Sequence, residues 1–278
     1  MCIRDRLSSG QASSAGISQK VASDVFIANY NDIDSVERIL NEYADEIASI
    51  IIEPLAGNMG LIKPNEGFLE NIRRLADKYS VLLIFDEVIN GFRVHAGTYG
   101  SLSGVAPDIT TFGKIIGGGL PMGSYSGSKE IMSNIAPLGD VYQAGTLSGN
   151  PIATAAGIAQ LQILNNDAAY GALTESARSL SDGLSEIFEN AGIQAVVPRV
   201  GSLLSIFFTK SKPVNFDEAQ LAAENGIYAK FFHGMLKRGV ALAPGPYEAL
   251  FPSLAHTKDV IEQTLEIAEE TISEITQK

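Results

Sequence analysis

The chain has 278 residues, 45% of them hydrophobic, with 20 basic against 32 acidic side chains and a formal charge of −12. That is enough apolar material for a sizeable core and two domains; the scattered basic residues form no stripe to track nucleic acid, and the acidity reads as ordinary solubility. No apolar run approaches the roughly 20 residues of a membrane helix, the amino end lacks signal-peptide order, and the single cysteine, Cys2, excludes an internal disulfide or a multi-cysteine metal site.

These exclusions lead us to expect a cytoplasmic protein without membrane or nucleic-acid partners. His95, His233 and His256 lack metal-ligand spacing, so no metal is expected.

The first six residues, "MCIRDR", are unlike the rest of the chain. Back-translated, they resemble a transposon-end tag, so we expect them to derive from a sequencing adapter and the chain to be an amino-terminally truncated fragment. The same codons in unfragmented genomic DNA would reject that expectation. Residues 7–16, rich in Ser, Gly and Ala, read as a loop.

Asp32 or Asp34 can cap a helix carrying Val36, Ile39, Leu40 and Tyr43 at helical spacing. Residues 48–52 form a short apolar run that predicts a buried strand, ended by Pro54. Phe68, Leu69, Ile72, Leu75, Ala76 and Tyr79 fall on one face of a second helix. Residues 81–85, "VLLIF", predict another buried strand running straight into Asp86 and Glu87. The order strand, helix, strand implies a right-handed crossover and parallel pairing.

Residues 107–112 predict a third strand, ending before Gly113 and Lys114, and "GSYSG" at 123–127 a fourth. Asn150-Pro151 reads as an N-cap with proline at the first helical position, opening a helix to about Leu164. A longer helix is expected over 169–190. Beyond it the pattern predicts two strands within "IQAVVPRVGSLLSIFFT", a helix over 221–237, a strand over 240–243 and a closing helix from about Lys258.

In open parallel sheets, ligands sit beyond the carboxyl ends of the strands. Three successive strand ends here carry Glu53, Asp86 and Lys114. A carboxylate straight after buried apolar residues is costly to leave unpaired. A carboxylate and a lysine in one cleft suit pyridoxal phosphate: the lysine amine reacts with the aldehyde, and the carboxylate keeps the pyridine nitrogen protonated, so the ring can accept electrons. A sheltered charge-assisted bond of that kind contributes roughly 1.5–3 kcal/mol. Gly117 to Gly119 would let backbone approach the cofactor with no Cβ in the way.

Each feature alone is weak. Together, "IIIEPLAGNMG", "LLIFDEVINGFRV", "TFGKIIGGGLPMG" and "VYQAGTLSGNP", with "GVALAP" and "SLAHT" further on, resemble the glutamate-1-semialdehyde 2,1-aminomutase family from about Leu7 to the carboxyl end. The resemblance implies an α/β fold of the aspartate-aminotransferase type. Residues 1–165 would be part of the cofactor-binding large domain, with a mainly parallel sheet, and residues 166–278 a small α+β domain. The implied reaction is intramolecular amino transfer from glutamate-1-semialdehyde to 5-aminolevulinate, for tetrapyrrole biosynthesis. Pyridoxal 5'-phosphate would cycle through its pyridoxamine form, in a homodimer with shared active sites.

Residue by residue, the resemblance implies that Lys114 is the Schiff-base lysine and proton shuttle and Asp86 the pyridinium partner. Val88 would pack on a ring face, and Asn58 would lie near the ring hydroxyl. Thr146, with Gly145 beside it, would reach the cofactor phosphate of the partner subunit. Glu248 would face the active site from the small domain. Glu53 reads as a structural carboxylate.

Two departures stand out. "YEALFPSLAHT" lacks the glycine-phenylalanine pair usual after that glutamate, and nothing precedes Leu7 that could supply the family's phosphate cradle or ring-stacking aromatic. No 5-aminolevulinate formation is therefore expected from these 278 residues alone. Rival readings are an ω-amino-acid aminotransferase, whose relatives carry an acidic residue where Asn58 stands, and a non-catalytic remnant.

Overall fold

The computed structural model describes residue 16 and residues 24–277. The expectations for the first six residues, for Cys2 and for most of the 7–16 loop lie outside them.

Asp32 caps the first helix, its side chain accepting from the Ser35 N–H at 3.0 Å. That helix, α1 (Ile33–Tyr43), turns Val36 and Leu40 onto α2 (Phe68–Tyr79), whose Phe68, Leu69, Ile72, Leu75 and Ala76 are buried with them. Ser80, in a left-handed conformation, closes α2 by donating its N–H to Ala76 and Asp77. Both helices cover one face of a four-stranded sheet.

Strands β1 (Ser49–Ile52), β2 (Leu82–Asp86) and β3 (Ile109–Phe112) run parallel, with Ile52 opposite Phe85 and Asp86 opposite Thr111. β4 (Ser124–Gly127) returns antiparallel, so the sheet is mixed and mostly parallel. Sequence patterning places β1 and β2 as fully buried strands, and the structure corrects this. Leu83 and Phe85 are buried under the helices, but on the other face Ile51 remains 53% and Leu82 38% exposed. An all-apolar strand does not reveal how many of its faces are covered.

After the short helices α3 (Tyr99–Ser103) and α4 (Lys129–Met132), α5 (Pro151–Leu164) starts as predicted, with the Asn150 side chain accepting from Ala153. α6 (Asp167–Asn190) begins two residues earlier than expected, because Asn166 caps it. The two expected strands are reduced to a short hairpin, β5 (Arg199–Val200) and β6 (Leu203–Leu204), extended by bridges from Val196 to Phe207 and from Leu204 to Leu250.

The helix expected over 221–237 is two helices, α7 (Phe216–Ala223) and α8 (Ile227–Lys237). Gly226, at φ +69°, breaks them apart, and the Asn225 side chain caps the break by accepting from Ile227 and donating to Phe208 O. The strand expected over 240–243 is absent: Val240 donates its N–H back to Met235, completing the end of α8 instead of joining a sheet. α9 (Lys258–Thr276) closes the chain over α6 and α8. Among the described residues no helix is long and apolar enough to cross a membrane.

Candidate active site at the carboxyl edge of the sheet

Asp86 is the last residue of β2, and Lys114 follows β3 after a single glycine. Because the two strands are parallel, both leave the sheet at the same edge; Glu87 N–H donates to Thr111 O at 2.9 Å as they separate. β1 runs the same way and delivers Glu53 to that edge. Asp86 Oδ1 accepts from the Val88 N–H at 3.0 Å. Val88 in turn lies against Gly113, 3.1 Å from where a Cβ there would stand, and Ile89 lies equally close to Gly57. The loops after β1, β2 and β3 are thus packed side by side, bringing Asn58, Asp86, Val88 and Lys114 into one region.

Lys114 itself has φ +48°. A non-glycine residue there costs of order 1–3 kcal/mol and persists only where its surroundings over-determine it. The surroundings are explicit. A 3-10 turn, Lys114–Gly117, follows, then Gly118 at φ +58°. Helix α5 packs backbone to backbone on this turn: a Cβ on Gly157 would fall 2.2 Å from Ile116 O, and one on Gly118 2.4 Å from Ala156 O. The lysine side chain is left exposed.

Glu53 pins the neighbouring turn. Its two oxygens accept from the Gly57 N–H at 2.7 Å and from the Asn58 side-chain amide. Gly60 N–H donates to Tyr247 O at 2.6 Å, which brings the exposed Glu248 beside the Asn58 loop. Gly145 and Thr146 lie in an exposed turn, Ser148 N–H donating to Gly145 O, that leads into α5 and so connects with the Lys114 turn through that helix.

Two side chains near Asp86 were given no role by the sequence. The Thr111 hydroxyl, in register with Asp86, is buried without a hydrogen-bond partner. Glu87 is 1% exposed, and its carboxylate accepts from the Tyr99 and Gly100 N–H groups at 2.6 and 2.9 Å, at the start of α3. Burial pushes its carboxyl above the ordinary value, against those two N–H groups and His95. A threonine before "YGS" is a helix-start signal, and Thr98 does cap α3, accepting from Ser101; it could have pointed to α3.

An exposed lysine amine, a strand-end carboxylate and a buried hydroxyl seeking a partner form a donor set that fits pyridoxal phosphate. Lys114, Asp86, Thr111 and Asn58 are the residues that would hold it.

The family model "Aminotransferase class-III" matches residues 8–272. The chain belongs to the class-III aminotransferase family. Its relatives include glutamate-1-semialdehyde 2,1-aminomutases of Natranaerobius thermophilus, 44% identical over 96% of this chain, and of Ruminiclostridium cellulolyticum, 49% identical over 96%. The chain spans 62% of the length of each. Among solved structures, an omega-transaminase from Sphaerobacter thermophilus superposes with a TM-score of 0.88 at 29% identity, over 96% of this chain and 60% of that one. A glutamate-1-semialdehyde-aminomutase from Pseudomonas aeruginosa gives 0.82 at 25% identity, over 94% and 60%. These agree with the α/β, mostly parallel architecture of the class-III aminotransferase chain described above.

Proposed function

We propose that the class-III aminotransferase chain serves glutamate-1-semialdehyde 2,1-aminomutase chemistry: pyridoxal-phosphate-dependent conversion of glutamate-1-semialdehyde to 5-aminolevulinate, for tetrapyrrole synthesis. The observation that carries the reading is the delivery of Asp86 and Lys114 to one sheet edge by parallel β2 and β3, with Lys114 held in a left-handed turn. When bound, the cofactor supplies an electron sink for a carbanion beside its ring.

The chain's own residues do the rest. Asp86 would hold a proton on the pyridine nitrogen. Lys114 would anchor the cofactor covalently and then move a proton as general base and acid. Val88 would pack on a ring face, Asn58 would lie near the ring hydroxyl, and Glu248 would approach from the carboxyl-terminal side. A lysine-to-alanine variant of the Pseudomonas aeruginosa aminomutase was crystallised in complex with PMP, which supports a lysine whose removal spares non-covalent binding.

The ω-transaminase reading rests on the fold match at 29% identity. Identity of 44% and 49% to aminomutases, together with Asn58 and "AGTLSGNP", favours the mutase. We also place a division between a large domain, 1–165, and a small one, 166–278, and a cytoplasmic homodimer in which Gly145 and Thr146 reach the partner's cofactor phosphate. The exposed Leu138, Tyr142, Leu147, Ile152 and Ile158 around that loop support the dimer.

Borohydride reduction of the protein loaded with pyridoxal phosphate tests the anchor. The label should appear on the peptide containing Lys114, and label on any other lysine would sink the assignment. Turnover without an added keto acid separates the mutase from a transaminase.

A further inference from the structure

The loop that starts at Asp86 is tied both to the sheet and to the carboxyl-terminal region. Gly91 N–H donates to Glu87 O at 2.9 Å, and a Cβ on Gly91 would meet that oxygen and the Phe112 ring, each at 2.9 Å. Phe92 then adopts φ +58°, with its ring 6.0 Å from that of Phe112, two residues before Lys114. Tyr170 of α6 donates its hydroxyl to Phe92 O at 2.8 Å.

Arg93 is next in the chain, and its side chain crosses to the carboxyl-terminal region. Nη2 donates to Ser202 O at 2.9 Å and to Pro252 O at 2.5 Å, and the guanidinium stands 5.5 Å from the centre of the Phe251 ring. Ser202, 1% exposed, returns its hydroxyl to Arg93 O at 2.9 Å. Gly201, at φ +53°, lets Val94 O come within 3.1 Å of its Cβ position.

The two carbonyls that Arg93 grips frame one ladder. Leu250 N–H donates to Leu204 O at 2.7 Å, with Ser202 two residues before Leu204 and Pro252 two residues after Leu250. The same ladder holds Glu248, whose carbonyl accepts from Ser205, while Ser205 Oγ accepts from Leu61 N–H. Burial pushes the Arg93 guanidinium down to about 10, and its Nε is buried without a partner. A buried charge held by neutral carbonyls is an expensive way to gain stability, since an apolar side chain of similar volume avoids the desolvation. Its grip on two separated carbonyls has no apolar equivalent.

We propose that Arg93 is a positioning residue that locks the Asp86 loop to the Glu248 ladder, so that the two sides of the cleft are placed together. The inference rests on Asp86 and Glu248 facing one cleft; hydrogen exchange reads their placement whether or not the aminomutase chemistry holds.

Amide hydrogen exchange on the purified 278-residue chain tests it, comparing wild type with Arg93→Met, which keeps apolar volume, and Arg93→Lys, which keeps charge but not the planar fork. Both variants should exchange about tenfold faster or more at Val88, Gly91, Leu204 and Leu250, with α2 unchanged. In Arg93→Ala, millimolar guanidinium should restore protection, whereas sodium chloride at equal ionic strength should not. Faster exchange confined to residues 92–94 would overturn the proposal. So would a uniform rise including α2, because Arg93 would then supply stability without placing either loop.

Discussion

The cluster formed by Phe188, Phe208, Tyr228 and Phe231 and the outer face of α5 are both strongly apolar, yet they meet opposite fates. In the cluster the rings pack edge to face, Phe188 and Phe208 at 5.2 Å and Phe188 and Phe231 at 5.6 Å, and α6, α8 and α9 close around them until Phe231 is 0% exposed. On α5, one side meets the Lys114 turn, while Ile152, Ile158 and Ile163 face outward, Ile158 55% exposed. A helix apolar all round is normally covered all round. The carboxyl-terminal region therefore completes its own core, and the region bearing Asp86 and Lys114 presents surfaces that call for company.

The largest test of this contrast is Phe231→Ala. Removing a fully enclosed ring should cost about 3–5 kcal/mol, read as a lower urea midpoint; a loss under about 1 kcal/mol would mean that the cluster is not closed.

A smaller effect is expected at Asp108, which stitches the covered side of the sheet. Its Oδ2 accepts from Leu83 N–H at 2.7 Å and from Arg73 at 2.8 Å. Burial pushes its carboxyl up, but the Leu83 N–H and the Arg73 guanidinium outweigh burial and hold it below the ordinary value. A depressed carboxyl contributes stability at pH values above its unfolded value, near 4, and loses it as pH falls through the folded value. Asp108→Asn should lower stability at neutral pH by roughly 1–2 kcal/mol and remove that part of the acid limb. An unchanged limb in a pH series of urea melts would refute the assignment.

The smallest effect sharpens the comparison most. Ile158→Ser should leave stability within about 0.5 kcal/mol while reducing self-association in sedimentation. Destabilisation beyond about 1.5 kcal/mol would show that this face packs within the chain and erase the contrast.

Local signals made much of this fold legible. Asp32 and Asn150-Pro151 start their helices where side-chain chemistry says they should, and the apolar runs before Glu53 and Asp86 become parallel strands. The failures share a physical cause. Gly226 splits a helix that periodicity joins, and residues 240–243 are apolar enough for a strand but find no partner. Burial of Ile51 and Leu82 depends on what covers the second sheet face, which no window around them encodes.

The site divides similarly. Glu53, Asp86 and Lys114 could be aligned from strand order alone. The left-handed Lys114 could not, because the helix that enforces it lies some forty residues downstream, and neither could Arg93, whose partners are more than a hundred residues away.

The seating of α5 on the Lys114 turn bears on how tolerance to substitution should be interpreted here. Position 157 has room for hydrogen and nothing larger, since a methyl would collide with a carbonyl oxygen and no rotamer change could move it aside. In a saturation library selected for function, Gly157 should be nearly as intransigent as the lysine, although it never meets a reactant. Ranking positions by intolerance alone would enrol it among the chemical groups. Only variants scored separately for cofactor attachment and for turnover would reveal it as the seat on which the proposed anchor lysine rests.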